Sequence, residues 1–145
     1  MTSKITIRKV QPSDAAAIAP IIKEAFDGIA DKHAMAIAPG LALFLSSSQA
    51  HVGFVAVNEQ GEVIGSNFLT VCDPVAGVGP ISVSPKAQGG VGKLLMHAVL
   101  DEAKRHPSIV SVRLVQDAFN MLSFSLYTKC GFVARHTTAV IGGDR

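Results

Sequence analysis

Apolar and polar positions change their spacing several times along this chain, and each change marks an element. From Lys4 to Val10, Ile5 and Ile7 alternate with polar neighbours, the two-residue period of a half-buried strand. Ile18, Ile21, Ile22, Ala25 and Phe26 then recur at helical spacing, behind Pro12-Ser13-Asp14, which offers an N-cap. Pro20 falls inside that pattern, so the helix is expected to be kinked or to begin later than the cap. Asp27 to Gln49 has no clear period, and a short helix from Leu41 to Ser47 is expected within it. Val52–Val57 and Val63–Val71 are β-rich and flank the turn Asn58-Glu59-Gln60-Gly61, which is a hairpin signal. Val75–Val83 reads as a further strand. Gly92–Arg105 is an amphipathic helix with Leu95, Val99 and Ala103 inward and Lys93, His97, Asp101 and Lys104 outward. Ile109–Val115 predicts a strand, Asn120–Lys129 a helix and Phe132–Ile141 a last strand. Meandering strands followed by β-α-β units imply an α/β (α+β) chain, with a mixed central β-sheet and helices on both faces.

Composition narrows the class. A chain of 145 residues suits one domain, 1–145, and 48% hydrophobic against 17% charged residues argues against disorder. The net charge of +2 and the lack of any Lys/Arg run speak against nucleic-acid binding. Ala34–Leu45 is the most apolar stretch, but it contains Pro39 and Gly40 and is too short to span a bilayer. Cys72 and Cys130 form no framework and read as thiols in a reducing compartment, so a cytoplasmic chain is expected. His33, His51, His97, His106 and His136 are scattered without metal-ligand spacing, and no metal is expected.

The candidate chemistry lies in Ile81-Ser82-Val83-Ser84-Pro85-Lys86-Ala87-Gln88-Gly89-Gly90-Val91-Gly92-Lys93-Leu94-Leu95. A strand ends, a glycine-rich turn follows, and a helix opens directly from it. Glycine lets a ligand approach the main chain closely. The first helical N–H groups lack intrahelical partners and sit at the positive end of the dipole. Together these features make a cradle for a diphosphate. A Walker A loop would need Gly at 87 and Ser or Thr after Lys93, where this chain has Ala87 and Leu94. A dinucleotide fingerprint starting at Gly90-Val91-Gly92 would end in glycine, where this chain has Leu95.

Val83-Ser84-Pro85-Lys86-Ala87-Gln88-Gly89-Gly90-Val91-Gly92 resembles the acyl-CoA motif of the GNAT N-acetyltransferases, V-x-P-x-x-(Q/R)-G-x-G-(V/I)-G. Val83, Pro85, Gln88 and Gly89 are in register. After Gly89 the chain is one residue short, because Gly90-Val91-Gly92 follows without the spacer. Asn120-Met121-Leu122-Ser123-Phe124-Ser125-Leu126-Tyr127-Thr128-Lys129-Cys130-Gly131-Phe132 resembles the family's second block, N-x-x-(A/S)-x-x-L-Y-x-x-x-G-F, without departure. In it Leu122 and Leu126 are expected to be core positions one turn apart, and Gly131 a helix-ending C′ residue.

The resemblance implies a GNAT-like fold whose sheet splays open between Val75–Val83 and Ile109–Val115, with acetyl-CoA as co-substrate. It implies that main-chain groups of Ile81 and Val83 pair with the pantetheine amides, and that an N–H near Val83 polarises the thioester carbonyl. Gln88, Gly89, Gly90, Val91, Gly92 and Lys93 would hold the pyrophosphate, and Asn120 would contact the pantetheine or place the second helix. An uncharged amine would attack directly, and Tyr127, the chain's one tyrosine, would protonate the departing thiolate. Read without the resemblance, Tyr127 is a packing residue with a hydrogen-bonded hydroxyl sooner than a catalyst. Asp73 and Asp117 are candidate bases, each with the plainer reading of a solvated loop carboxylate. The expected partner is a small-molecule or peptide amine, with no membrane, and a homodimer is compatible with the pattern. The alternatives are a GNAT-fold module that binds CoA without catalysis and a nucleotide-binding domain.

Overall fold

The computed structural model describes residues 4–27, 36–87 and 89–139. They fall into two compact units, Met1–Val115 and Gln116–Arg145. The first holds β1 (Thr6–Lys9), a 3-10 turn (Pro12–Asp14), α1 (Ala15–Ala25), α2 (Ala38–Ser47), β2 (His51–Val57), β3 (Val63–Thr70), β4 (Val75–Gly77), β5 (Ser82–Val83), α3 (Val91–Arg105) and β6 (Ser111–Arg113). The second holds one helix, α4 (Met121–Lys129).

The main sheet runs in the order β1-β2-β3-β5, antiparallel throughout, while β4 and β6 pair in parallel as a second, two-stranded sheet. Alternation along β2 and β3 sends side chains to two cores. Val55 and Phe68 join Ile18 and Ile22 of α1 and Ala42 and Leu45 of α2 on one face. Phe54, Ala56 and Leu69 join Val91, Leu95, Val99 and Ala103 of α3 on the other. Helices therefore cover both faces, as the apolar pattern predicts. Lys93, His97, Asp101 and Lys104 are exposed along α3, also as expected.

Adjacent residues of β1 tie the sheet to helices on opposite sides. Arg8 donates to both carboxylate oxygens of Asp14, at 2.8 and 2.9 Å, and holds that carboxyl below its ordinary pKa. Asp14 does sit at the N-cap position of α1, but its carboxylate accepts from Arg8 and from the Gln11 N–H rather than capping the helix. Lys9 reaches the buried Glu102 of α3 at 3.0 Å. Burial pushes the Glu102 carboxyl up, but Lys9, Arg105 and His106 outweigh it and bring it below the usual range. α1 runs through Pro20, which lies on its exposed side.

Several expectations need correction. Val75–Val83 is not one strand. Val78 donates to Arg113 of β6, whereas Gly79 donates to Phe68 of β3, so the backbone changes partners there. Three steps along β3, Leu69 to Ser66, are matched by four along the segment, Val78 to Ser82, and one residue bulges at Gly79-Pro80, where Pro80 has no N–H to give a ladder. Only Ser111–Arg113 of Ile109–Val115 is strand, because only β4 offers it a partner. No strand forms in 132–139, which pair with no other strand, and 140–141 lie outside the described residues. The second helix begins at Ala38, earlier than Leu41.

Candidate active site

The bulge decides what the end of β5 presents. Val83 lies opposite Gly65 and Ser82 opposite Ser66, and the Ser84 N–H donates to the Ile64 carbonyl at 2.9 Å. In an antiparallel ladder, bonded and non-bonded pairs alternate. Ser82 and Ser84 therefore turn their main-chain groups toward β3, while Ile81 and Val83 turn theirs away. β5 ends the sheet order, so that outward edge has no strand partner among the described residues. β6 pairs with β4 and forms no ladder with β5.

Beyond β5 the chain makes a turn, with Pro85 second in it, in which the Ala87 N–H donates to the Ser84 carbonyl and the Lys86 N–H to Ser84 Oγ. Gly90 caps α3 at φ +97°, a left-handed conformation that costs a residue with a Cβ about 1–2 kcal/mol. The first helical bond is donated by Leu94 to Gly90 at 3.1 Å. The amides of Val91, Gly92 and Lys93 have no partner among the described residues, as expected at a helix start. A Cβ at Gly89 or Gly90 would meet no atom of the described residues within 4 Å, so that side of the main chain is open toward them. Gln88 lies outside the described residues.

The head of α3 is held down by packing. Val91 and Leu95 are buried, and a Cβ at Gly65 would come within 3.1 Å of Leu95, 3.3 Å of Val91 and 2.9 Å of the Ser82 carbonyl. The absent side chain is what lets α3 begin so close to β5. Sequence reading passed over this glycine and the polar pair Ser66-Asn67 after it. The signal for both was a small, polar interruption in an otherwise apolar central strand.

In the second unit, Asn120 is the N-cap of α4, its side chain accepting from the Ser123 N–H at 3.1 Å. At the other end Gly131 has φ +93°. Phe132 donates to the Tyr127 carbonyl and Gly131 to that of Thr128, both at 3.0 Å, which is a Schellman closure. The Tyr127 and Phe132 rings meet edge to face at 6.2 Å. Burial raises the Tyr127 phenol above the ordinary tyrosine value, with the Ser123 side chain drawing it partly back. Leu122 is not a core residue: it is 85% exposed, and α4 buries none of its side chains. Among the described residues, its own unit has no second layer to cover it.

Asp73 and Asp117 are both exposed loop carboxylates. His51 is half-buried at the start of β2, His97 lies exposed on α3, His106 caps its end beside Glu102, and His136 is exposed. His33 falls outside the described residues. No cluster of metal-ligating side chains occurs among the described residues. No described helix is long and apolar enough to cross a membrane.

The model of the acetyltransferase (GNAT) family matches residues 16–132. The chain belongs to that family. As a GNAT chain it is an enzyme of the acyl-CoA-dependent N-acyltransferase class, and the matched span takes in both motif blocks. A search of curated proteins found no match. Solved structures share the fold at low identity. A ribosomal-protein-alanine N-acetyltransferase from Brucella melitensis biovar Abortus 2308 is 19% identical over 97% of this chain and 100% of its own, with a TM-score of 0.75. The PaiA N-acetyltransferase from Thermoplasma acidophilum, in complex with coenzyme A, is 19% identical over 93% of each chain, with a TM-score of 0.76. The aminoglycoside N-acetyltransferase AAC(6')-Iy, in complex with CoA, is 21% identical over 100% of this chain and 97% of its own, with a TM-score of 0.71.

Proposed function

We propose that this GNAT chain transfers an acetyl group from acetyl-CoA to a primary amine by direct attack in a ternary complex, residues 1–145 acting as one acyltransferase domain. The observation that carries this reading is two sets of main-chain groups that have no partner among the described residues, with a glycine turn between them. One is the outward edge of Ile81 and Val83, and the other is the first amides of α3, those of Val91, Gly92 and Lys93. A ligand with an extended, amide-containing arm and a diphosphate needs those two features in that order. Bound acetyl-CoA supplies an acetyl group activated as a thioester and a thiolate that can leave. That two structures of the same fold hold CoA supports this co-substrate class.

In this reading Ile81 and Val83 bind the pantetheine arm through their main chain, and the Val83 N–H stabilises the carbonyl oxygen as it gains charge. Residues Gln88 to Lys93 hold the pyrophosphate at the positive end of α3. Asn120 fixes the first turn of the helix that carries Tyr127. Tyr127 Oη donates the proton that the sulfur takes up, and a phenol raised above its ordinary value stays protonated to do so. The acceptor class is an amine, supported by the aminoglycoside and ribosomal-protein alanine named for two relatives. Acetyl-CoA at a hundred times its dissociation constant should stabilise the protein by about 2.7 kcal/mol. Calorimetry with acetyl-CoA, followed by thiol release with a polyamine, an aminoglycoside and a peptide of free N-terminus, tests both halves. No stabilisation by acetyl-CoA would sink the reading, and binding without turnover on any amine would leave a CoA-binding module.

A further inference from the structure

β5 is a weak place to hang a catalytic N–H. It is two residues long, paired on one side only, and follows directly on a bulge. Such an edge frays unless something other than its ladder holds it. Two contacts do so, one on each face. On the α3 side, Val83 packs against the core of Val91 and Leu95. On the α1 side, the Ser66 and Ser82 hydroxyls meet at 3.0 Å. Ser66 is 0% and Ser82 2% exposed, and α1 lies against both strands. Two serines facing each other in a buried layer beside Val55, Phe68 and Ile18 are not there for packing. Alanine or valine would fill the space without any polar group to satisfy.

From this we infer that Ser66 and Ser82 are positioning residues, which lock the backbone of β5 so that the Val83 N–H stays aimed at the thioester carbonyl. The inference rests on the proposed acetyl-CoA reading. Because main-chain directions alternate, any roll of β5 about its axis swings Ser82 off β3 and the Val83 N–H off its target together. The hydroxyl bond resists that roll, and neither serine touches the reacting atoms. Small misalignments matter here, since a shift of about 1 Å can cost on the order of a hundredfold in rate.

The test uses acetyl-CoA isotope-labelled at the thioester carbonyl, bound to the full chain, with the carbonyl stretch read by infrared difference spectroscopy. A hydrogen bond from Val83 lowers that frequency in the wild type. The double variant Ser66→Ala/Ser82→Ala removes both hydroxyls and leaves no buried orphan. It should bind acetyl-CoA nearly as tightly by calorimetry, yet lose most of the frequency shift. Ser66→Thr keeps a hydroxyl and should retain it. A double variant with the wild-type shift overturns the inference, as does a wild type that binds acetyl-CoA with no shift at all. Failure of the wild type to bind acetyl-CoA is a different result and overturns the functional reading itself. Should the double variant not fold, Ser82→Cys, close in size but a weak hydrogen-bonding partner, takes its place. An undiminished shift in that variant overturns the inference equally.

Discussion

Val91 and Leu95, at the head of α3, are buried against the sheet, whereas Leu122, in the first turn of α4, is 85% exposed. Both helices carry one of the chain's two motif blocks, and both are bounded by a left-handed glycine, Gly90 before α3 and Gly131 after α4. Their order comes from opposite sources. The first block is shaped from outside: Gly65 makes room, Val91 and Leu95 dock, and the turn ends where packing puts it. The second is shaped from within, by the Asn120 cap and the closure around Gly131, all between residues close in sequence. A site built by packing fails by unfolding, and one built by local bonds fails by losing a single group.

The largest expected effect separates the two blocks on stability. Leu95→Ala should cost about 2–5 kcal/mol in urea unfolding, as deletion of a buried leucine does. Leu122→Ala should stay within about 0.5 kcal/mol. Equal costs would mean that Leu122 is covered in the working protein and that the contrast is false. On activity the ranking reverses. Tyr127→Phe keeps the ring that meets Phe132 and removes the acid, so turnover should fall about a hundredfold or more with acetyl-CoA affinity little changed. Because the phenol is raised, activity that depends on its proton should persist through the ordinary tyrosine range and be lost only as pH rises beyond it. An unaltered kcat across pH would take Tyr127 out of the mechanism.

A smaller effect probes the glycine turn. The chain is one residue short there against the family pattern, and on the proposed reading a turn shorter by one residue offers a diphosphate one N–H fewer. A charge-assisted hydrogen bond is worth roughly 1.5–3 kcal/mol, about ten- to a hundredfold in affinity. Inserting one Gly between Gly89 and Gly90 should therefore tighten CoA binding by calorimetry. Equal or weaker binding would show that the open turn already fits its ligand, and that the packing of α3, rather than the motif's spacing, sets the cradle.

What the sequence by itself determined was whatever rests on near neighbours and on periodicity. The hairpin around Asn58-Glu59-Gln60-Gly61, the two faces of α3, the start of α4 at Asn120 and the Gly131 stop were all legible, because each is decided within a turn or two of chain. The two motif blocks that pointed to the family were legible for the same reason. Only the tertiary structure decided how Val75–Val83 is used. Apolar alternation says that it can be strand, but which neighbour it pairs with, and where it changes from β6 to β3, depends on residues far along the chain. The same holds for Phe132–Ile141: strand propensity forms no strand without a partner edge, and the described part of that segment has none. Ser66 and Ser82 are sixteen positions apart and individually unremarkable. Their pairing exists because a bulge at Gly79-Pro80 shifts the register by one residue and brings the two hydroxyls to the same face of the same layer.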